Sequence, residues 1–220
     1  MRGFFKNLSI VLVFSIASTS AFSEMFEENM LLKNKRHKSV GGVWQVDSNT
    51  KVKRARSVIK RRHDSICITT KTHSLPSGAY TNWWVIYNEP EYCSNPSGFG
   101  DVACGPDDVP NPLVRATVML ATGSLVGPDG KARFNTCLET GELTFSVFPM
   151  GTQEGLVNSR RAEIQQVIRY HGPAEYDFPA LLGLQLSEFG GGCEDDSIQQ
   201  PGFECFDAQM ITHVPVSYGM

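Results

Sequence analysis

Between residue 57 and the C-terminal end, apolar and polar positions alternate with a period of two in one stretch after another. Ile66, Ile68, Thr70 and Thr72 fall on one face, and Cys67, Thr69 and Lys71 on the other, the spacing of a half-buried strand. Leu75-Pro76-Ser77-Gly78 is a turn, and a strand over residues 80–87 follows. There Tyr80, Asn82, Trp84 and Ile86 alternate with Thr81, Trp83, Val85 and Tyr87. Both faces carry bulk, so both need cover. Asn88-Glu89-Pro90 ends this strand, because proline has no N–H for the ladder.

Residues 93–112, rich in Gly, Pro, Asp and Asn, predict a loop, and residues 115–126 a buried strand. At Gly127-Pro128-Asp129-Gly130 the chain turns, with proline fixing one dihedral and glycine admitting a positive φ. The returning strand covers residues 131–138. Leu143, Phe145 and Val147 then alternate with Thr144, Ser146 and Phe148. Residues 161–171 fit a helix through Ile164, Val167 and Ile168, and a strand through Ile164, Ile168 and Tyr170; the neighbouring strands favour a strand. Residues 181–189 and 206–216 predict the last two strands. Short strands without a long helix imply an all-β fold: an antiparallel β-sandwich over residues 57–220, with a barrel as the alternative.

The residues before this domain have another character. Arg2 and Lys6 flank the start of an apolar run over residues 8–17, and Ala21-Phe22-Ser23 sets small residues at a cleavage position. Residues 1–23 therefore read as a secretory signal peptide, too short and serine-rich for a membrane span, which implies a secreted or periplasmic protein. Residues 33–63 carry eleven Lys/Arg against the single acid Asp47, a net +10, whereas residues 64–220 carry seven against nineteen, a net −12. We read residues 24–56 as a basic N-terminal arm whose order the pattern does not predict, with a short strand over residues 40–47. Such an arm is a solvated extension, a contact for an anionic surface or polysaccharide, or a segment folded back on the acidic domain.

All six cysteines follow the cleavage position, and an even count in an exported chain implies disulfides. Cys93–Cys104 and Cys193–Cys205 would each close a loop rich in Gly, Pro and Asp, and Cys67–Cys137 would join two strands. The absence of a Cys-x-x-Cys pair argues against zinc.

Several stretches together resemble a family of uncharacterised exported bacterial β-proteins. They are Asn82-Trp83-Trp84-Val85-Ile86-Tyr87-Asn88-Glu89-Pro90, Cys93, Ala121-Thr122-Gly123 with Gly127-Pro128-Asp129-Gly130, Arg161-Ala162-Glu163 leading to His171-Gly172-Pro173-Ala174, and Gly191-Gly192-Cys193. The resemblance runs from Ser65 to about Val214 and implies no activity and no catalytic residue. Gln165 and Gln166 stand where it leads us to expect apolar residues. His171-Gly172-Pro173-Ala174 also resembles a mark of chordin-type β-domains.

Catalytic motifs are absent: no Gly-x-Ser-x-Gly elbow, phosphate-binding glycine loop or His-Glu-x-x-His appears. His171 and His213, near strand ends, with Asp177, can be drawn together as metal ligands or as acid and base, or can be ordinary rim residues. Asp101, Asp107-Asp108 and Glu194-Asp195-Asp196 are candidate calcium ligands, though no twelve-residue calcium loop is present. Trp83 or Trp84, if exposed, would stack on a sugar or another apolar ligand. The expectation is a non-catalytic exported module that binds a surface, a polysaccharide or another extracellular partner. The alternative is a secreted hydrolase or metal-dependent enzyme with a rim site around His171.

Overall fold

The structure, a computed structural model, describes residues 37–193 and 204–216. Residues 1–23, read from the sequence as a signal peptide, residues 24–36 and the acidic run Glu194-Asp195-Asp196 lie outside the described residues.

Ten strands form one antiparallel sheet: β1 (His37–Gln45), β2 (Thr50–Lys51), β3 (Arg56–Arg61), β4 (Ser65–Thr72), β5 (Gly78–Tyr87), β6 (Ala116–Val126), β7 (Ala132–Glu139), β8 (Val147–Gly151), β9 (Glu163–Tyr170) and β10 (Phe206–His213). Their order is β7-β4-β3-β1-β10-β9-β5-β6-β8, with β2 beside β1. The strand β1 is the joint. Its first half pairs with β3 from His37 to Gly41, and its second half pairs with β10 from Gly42 to Gln45. A Cβ on Gly41 would lie 2.3 Å from the Thr212 carbonyl oxygen and 2.5 Å from the His213 ring, so only glycine lets the strand cross there. The sheet curls at this joint into a half-barrel of two limbs. The first limb is β7-β4-β3-β1 and the second is β1-β10-β9-β5-β6-β8. The all-β, disulfide-tied expectation holds; the two layers are limbs of one sheet that turns a corner through a single strand.

The core lies between the limbs. Ile59, Ile66, Ile68 and Leu138 of the first limb meet Trp84, Ile86, Met119 and Ile164 of the second. Beside them Phe134 packs with Tyr80, Ile168 and Ile211. Each such side chain stabilises the fold by roughly 1.5–3 kcal/mol relative to exposure. A second core covers the outer face of the second limb. There Trp83, Val85, Val118, Val167 and Met210 pack under Cys104, Val109 and Val114 of the long loop and under Phe148 and Phe189. This double cover is why every residue of β5 is buried.

The roofing loop has little secondary structure, so side chains satisfy its backbone. Asp108 accepts the N–H groups of Ser94, Asn95 and Gly105. Glu163, reaching out from β9, accepts those of Ala103 and Cys104. All three disulfides form as paired from the sequence: Cys67–Cys137, Cys93–Cys104 and Cys193–Cys205.

Three expectations change. Residues 37–56, read as an arm, contain β1 and β2 and belong to the sheet, because their apolar residues Val43 and Val52 are core residues. Residues 181–189 do not form a strand: a helix, α1 (Pro179–Ser187), occupies most of that run. It contains no β-branched residue, and leucine favours a helix. Finally, residues 143–146 precede β8 rather than form a strand. Gln165 and Gln166 do sit in a strand: Gln165 donates to the Cys104 carbonyl (2.8 Å) and Gln166 to Thr136 (3.4 Å).

Candidate functional site

Among the described residues, the outer face of the first limb gathers cations that no ion pair balances. Alternation along β3 turns Ser57, Ile59 and Arg61 inward, leaving Arg56, Val58 and Lys60 outward. Register sets Arg56 opposite Lys71, Lys71 opposite Arg133, and Lys60 opposite Lys38. Neighbouring strands stand about 4.8 Å apart, so Arg56, Lys71 and Arg133 form a row of like charges across three strands. All five cations are exposed. Among the described residues the ion pairs use Arg115, Lys131, Arg161 and Arg169, and none of these five. The single acid in β1, β3, β4 and β7 is Glu139, paired with Ser65 at the other end of the face. Like charges directly opposite each other destabilise a sheet. The arginine that points inward has another task. Arg61 is buried and donates to the carbonyls of Ser159, Ala162 and Val214, tying β3 to the segments beside β9 and after β10. Burial lowers its pKa to about 10, which leaves it charged at neutral pH.

The two histidines proposed to meet do not. Ile164, at the start of β9, is the register partner of His213, while His171 follows the end of β9. Seven residues of strand separate the two levels, about 23 Å. Each ring is buried for its own reason. His171 Nδ1 donates to the Gly191 carbonyl (2.9 Å), and Nε2 accepts from the Thr81 hydroxyl (2.7 Å), which accepts from the Trp83 indole N–H (2.7 Å). Burial holds the ring neutral, with a pKa of about 4. His171 Nδ1 also lies 3.7 Å and 3.8 Å from the sulfurs of Cys193 and Cys205, but sulfurs joined in a disulfide offer a metal no thiolate. His213 Nε2 lies 2.8 Å from Ser57 Oγ, the spacing of a base and a nucleophile. Ser57 is fully buried and also bonded to Thr70, so no substrate reaches it. Burial, then the charge of Arg61, lowers the His213 pKa to about 3. Asp177 is exposed in the turn before α1 and is a hydrogen-bond partner of neither ring.

The acidic candidates separate in the same way. Burial pushes the Asp108 carboxyl up, but the N–H groups it accepts outweigh this and hold it below the usual range. Its oxygens are committed to the loop. Asp101 lines a shallow cleft of about 440 Å³ with Glu91, Arg161 and Glu163. Arg161 bonds Glu89 (2.9 Å) and Glu91 there. Burial raises the Glu163 pKa.

Trp84 is core between the limbs, whereas Trp83 lines a cleft of about 160 Å³ on the outer face of the second limb. Phe148, Val167, Phe189, Asp207 and Met210 share its lining. The alternation of β5 put Trp83 and Trp84 on opposite faces, both in need of cover; the roof that turns the Trp83 face into a cleft comes from loops with no such periodicity. Among the described residues no helix is long and apolar enough to cross a membrane. No family model, curated protein or solved structure matches the chain.

Proposed function

We propose that the protein is an exported, non-catalytic binding module that holds an acidic polysaccharide on the outer face of its first limb. The observation that carries this reading is the row Arg56, Lys71 and Arg133, like charges set side by side on an open face and in no ion pair among the described residues. A polyanion laid across the strands would relieve that repulsion. Beside the row, β3, β4 and β7 present no outward aromatic ring on which nucleic-acid bases would stack; the one on β1, Trp44, is half-buried at the joint with Lys51 6.0 Å from its ring, and the outward aliphatic residues, Val40 and Val58, are little to enter a lipid layer. Export is supported by the N-terminal signal pattern, by the three disulfides and by the resemblance to exported β-proteins. Engagement of both His171 nitrogens within the fold supports a binder over a hydrolase at that rim.

The test is retention on immobilised heparin, a sulfated polysaccharide, compared with duplex DNA and anionic lipid vesicles. Wild-type protein binds heparin best, in a salt-sensitive manner. The variant Arg56→Glu/Lys71→Glu/Arg133→Glu binds at least about ten-fold more weakly while keeping its melting temperature, a loss of about 1.4 kcal/mol or more. Unchanged retention of the variant, or a preference of the wild type for DNA or vesicles, overturns the reading.

A further inference from the structure

The second limb carries an independent site. Its outer face is roofed, yet the roof leaves the cleft of about 160 Å³ beside Trp83. An apolar cavity of about 150 Å³ takes up benzene, so this volume suits one six-membered ring.

Aromatic walls enclose it. The Trp83 and Phe189 ring centroids are 5.3 Å apart at 74°, and those of Phe148 and Phe189 are 4.8 Å apart. A third ring entering such a set finds both edges and faces, the arrangements aromatic groups prefer. The walls are held in place from behind. Trp83 spends its N–H on Thr81, which bonds His171. Arg169 stacks on Phe189 at 4.4 Å and donates to the Phe189 carbonyl (2.9 Å).

Apart from the aromatic residues, two polar side chains line it: Gln165, whose Nε2 is spent on the Cys104 carbonyl and Glu163, and the charged Asp207. Asp207 gives Oδ1 to Arg169 (2.7 Å), and its Oδ2 has no hydrogen-bond partner among the described residues. That oxygen accepts only, so it selects a ligand with an O–H or N–H. We propose that this cleft binds a single aromatic ring bearing a hydrogen-bond donor, a molecule of the phenol class. The site does not depend on the polyanion face, which lies on the other limb.

Titration of isotope-labelled protein with phenol, benzene and cyclohexanol, following the Trp83 indole N–H resonance, tests it. Phenol shifts the resonance saturably, benzene binds several-fold more weakly, and cyclohexanol more weakly than phenol. Val167→Phe fills the cleft and abolishes saturation with the melting temperature retained; should that variant fail to fold, Val118→Phe fills the same space. Asp207→Ala removes the advantage of phenol over benzene. Failure of phenol to saturate, or wild-type binding in a folded filled variant, overturns the site. An advantage of phenol that survives in Asp207→Ala overturns the assigned role of the carboxylate.

Discussion

The two limbs share one antiparallel ladder but present opposite outer faces. Outward positions on β3, β4 and β7 hold Arg56, Lys60, Thr69, Lys71, Arg133 and Asn135, all left in solvent or at its edge. Outward positions on β5, β6 and β9 hold Trp83, Val85, Val118 and Val167, all roofed by loops. An open charged face can meet a partner of any length, whereas a roofed apolar face admits only what fits beneath the roof. On the proposed reading the limbs separate two kinds of recognition, and among the described residues Asp101 and Asp108 lie in the loop on the roofed side.

The limbs should also separate by stability, and acid gives the largest expected effect. Both buried histidines have folded pKa values below the ordinary 6.5, His171 at about 4 and His213 at about 3. Below pH 6.5 the unfolded chain takes up protons that the folded chain refuses. Their contribution is complete above that pH and lost as pH falls towards 4 for His171 and 3 for His213. At about 1.4 kcal/mol per pH unit the losses are about 3 and about 5 kcal/mol. Denaturant titrations between pH 7 and pH 4 should show this decline, and a folded His171→Gln variant should show a shallower one. A flat profile would mean that the rings are not buried as described.

Next come the disulfides. Cys67–Cys137 joins residues 70 apart and Cys93–Cys104 residues 11 apart. Loop-closure entropy assigns about 4 and about 3 kcal/mol to them. Replacing Cys67 and Cys137 by serine should lower the denaturation midpoint further, yet leave the Trp83 environment intact in the folded state. Replacing Cys93 and Cys104 should loosen the roof, seen as faster amide exchange at Val109 and Val114. Equal effects of both pairs on Trp83 fluorescence would erase the distinction between limbs.

The smallest effect is the most specific. If the cationic row is kept for a ligand, removing its middle charge should stabilise the free protein. Lys71→Thr should raise stability by a few tenths of a kcal/mol, because threonine suits a strand and like charges no longer face each other. A loss of stability would show that the row is not under repulsion.

Much of the sheet was legible because alternation reports one wet face. The pattern of β4 and the two faces of β5 follow their residues directly. What was hidden depended on contacts distant in sequence. The basic residues 37–56 look like an arm when counted as charge, although Val43 and Val52 point into the core. The joint at Gly41 is set by Thr212 and His213, far along the chain. In α1 the usual sign is inverted: Leu184 is 49% exposed, and the buried residue is Gln185, which donates to the carbonyls of His171 and Pro173. No periodicity rule reads a glutamine as the anchor of a leucine-rich helix. From the sequence His171 reads as a metal ligand or acid–base group with His213 and Asp177, or as an ordinary rim residue; its hydrogen-bond partners are Thr81 and Gly191.

The most direct test of the cationic face is a map of backbone amide shifts during titration with a short sulfated oligosaccharide. The prediction is a contiguous set of shifts over Arg56, Lys60, Lys71 and Arg133, with the Trp83 indole unmoved. Shifts centred on the second limb, on the cleft around Arg161, or nowhere at all would contradict it.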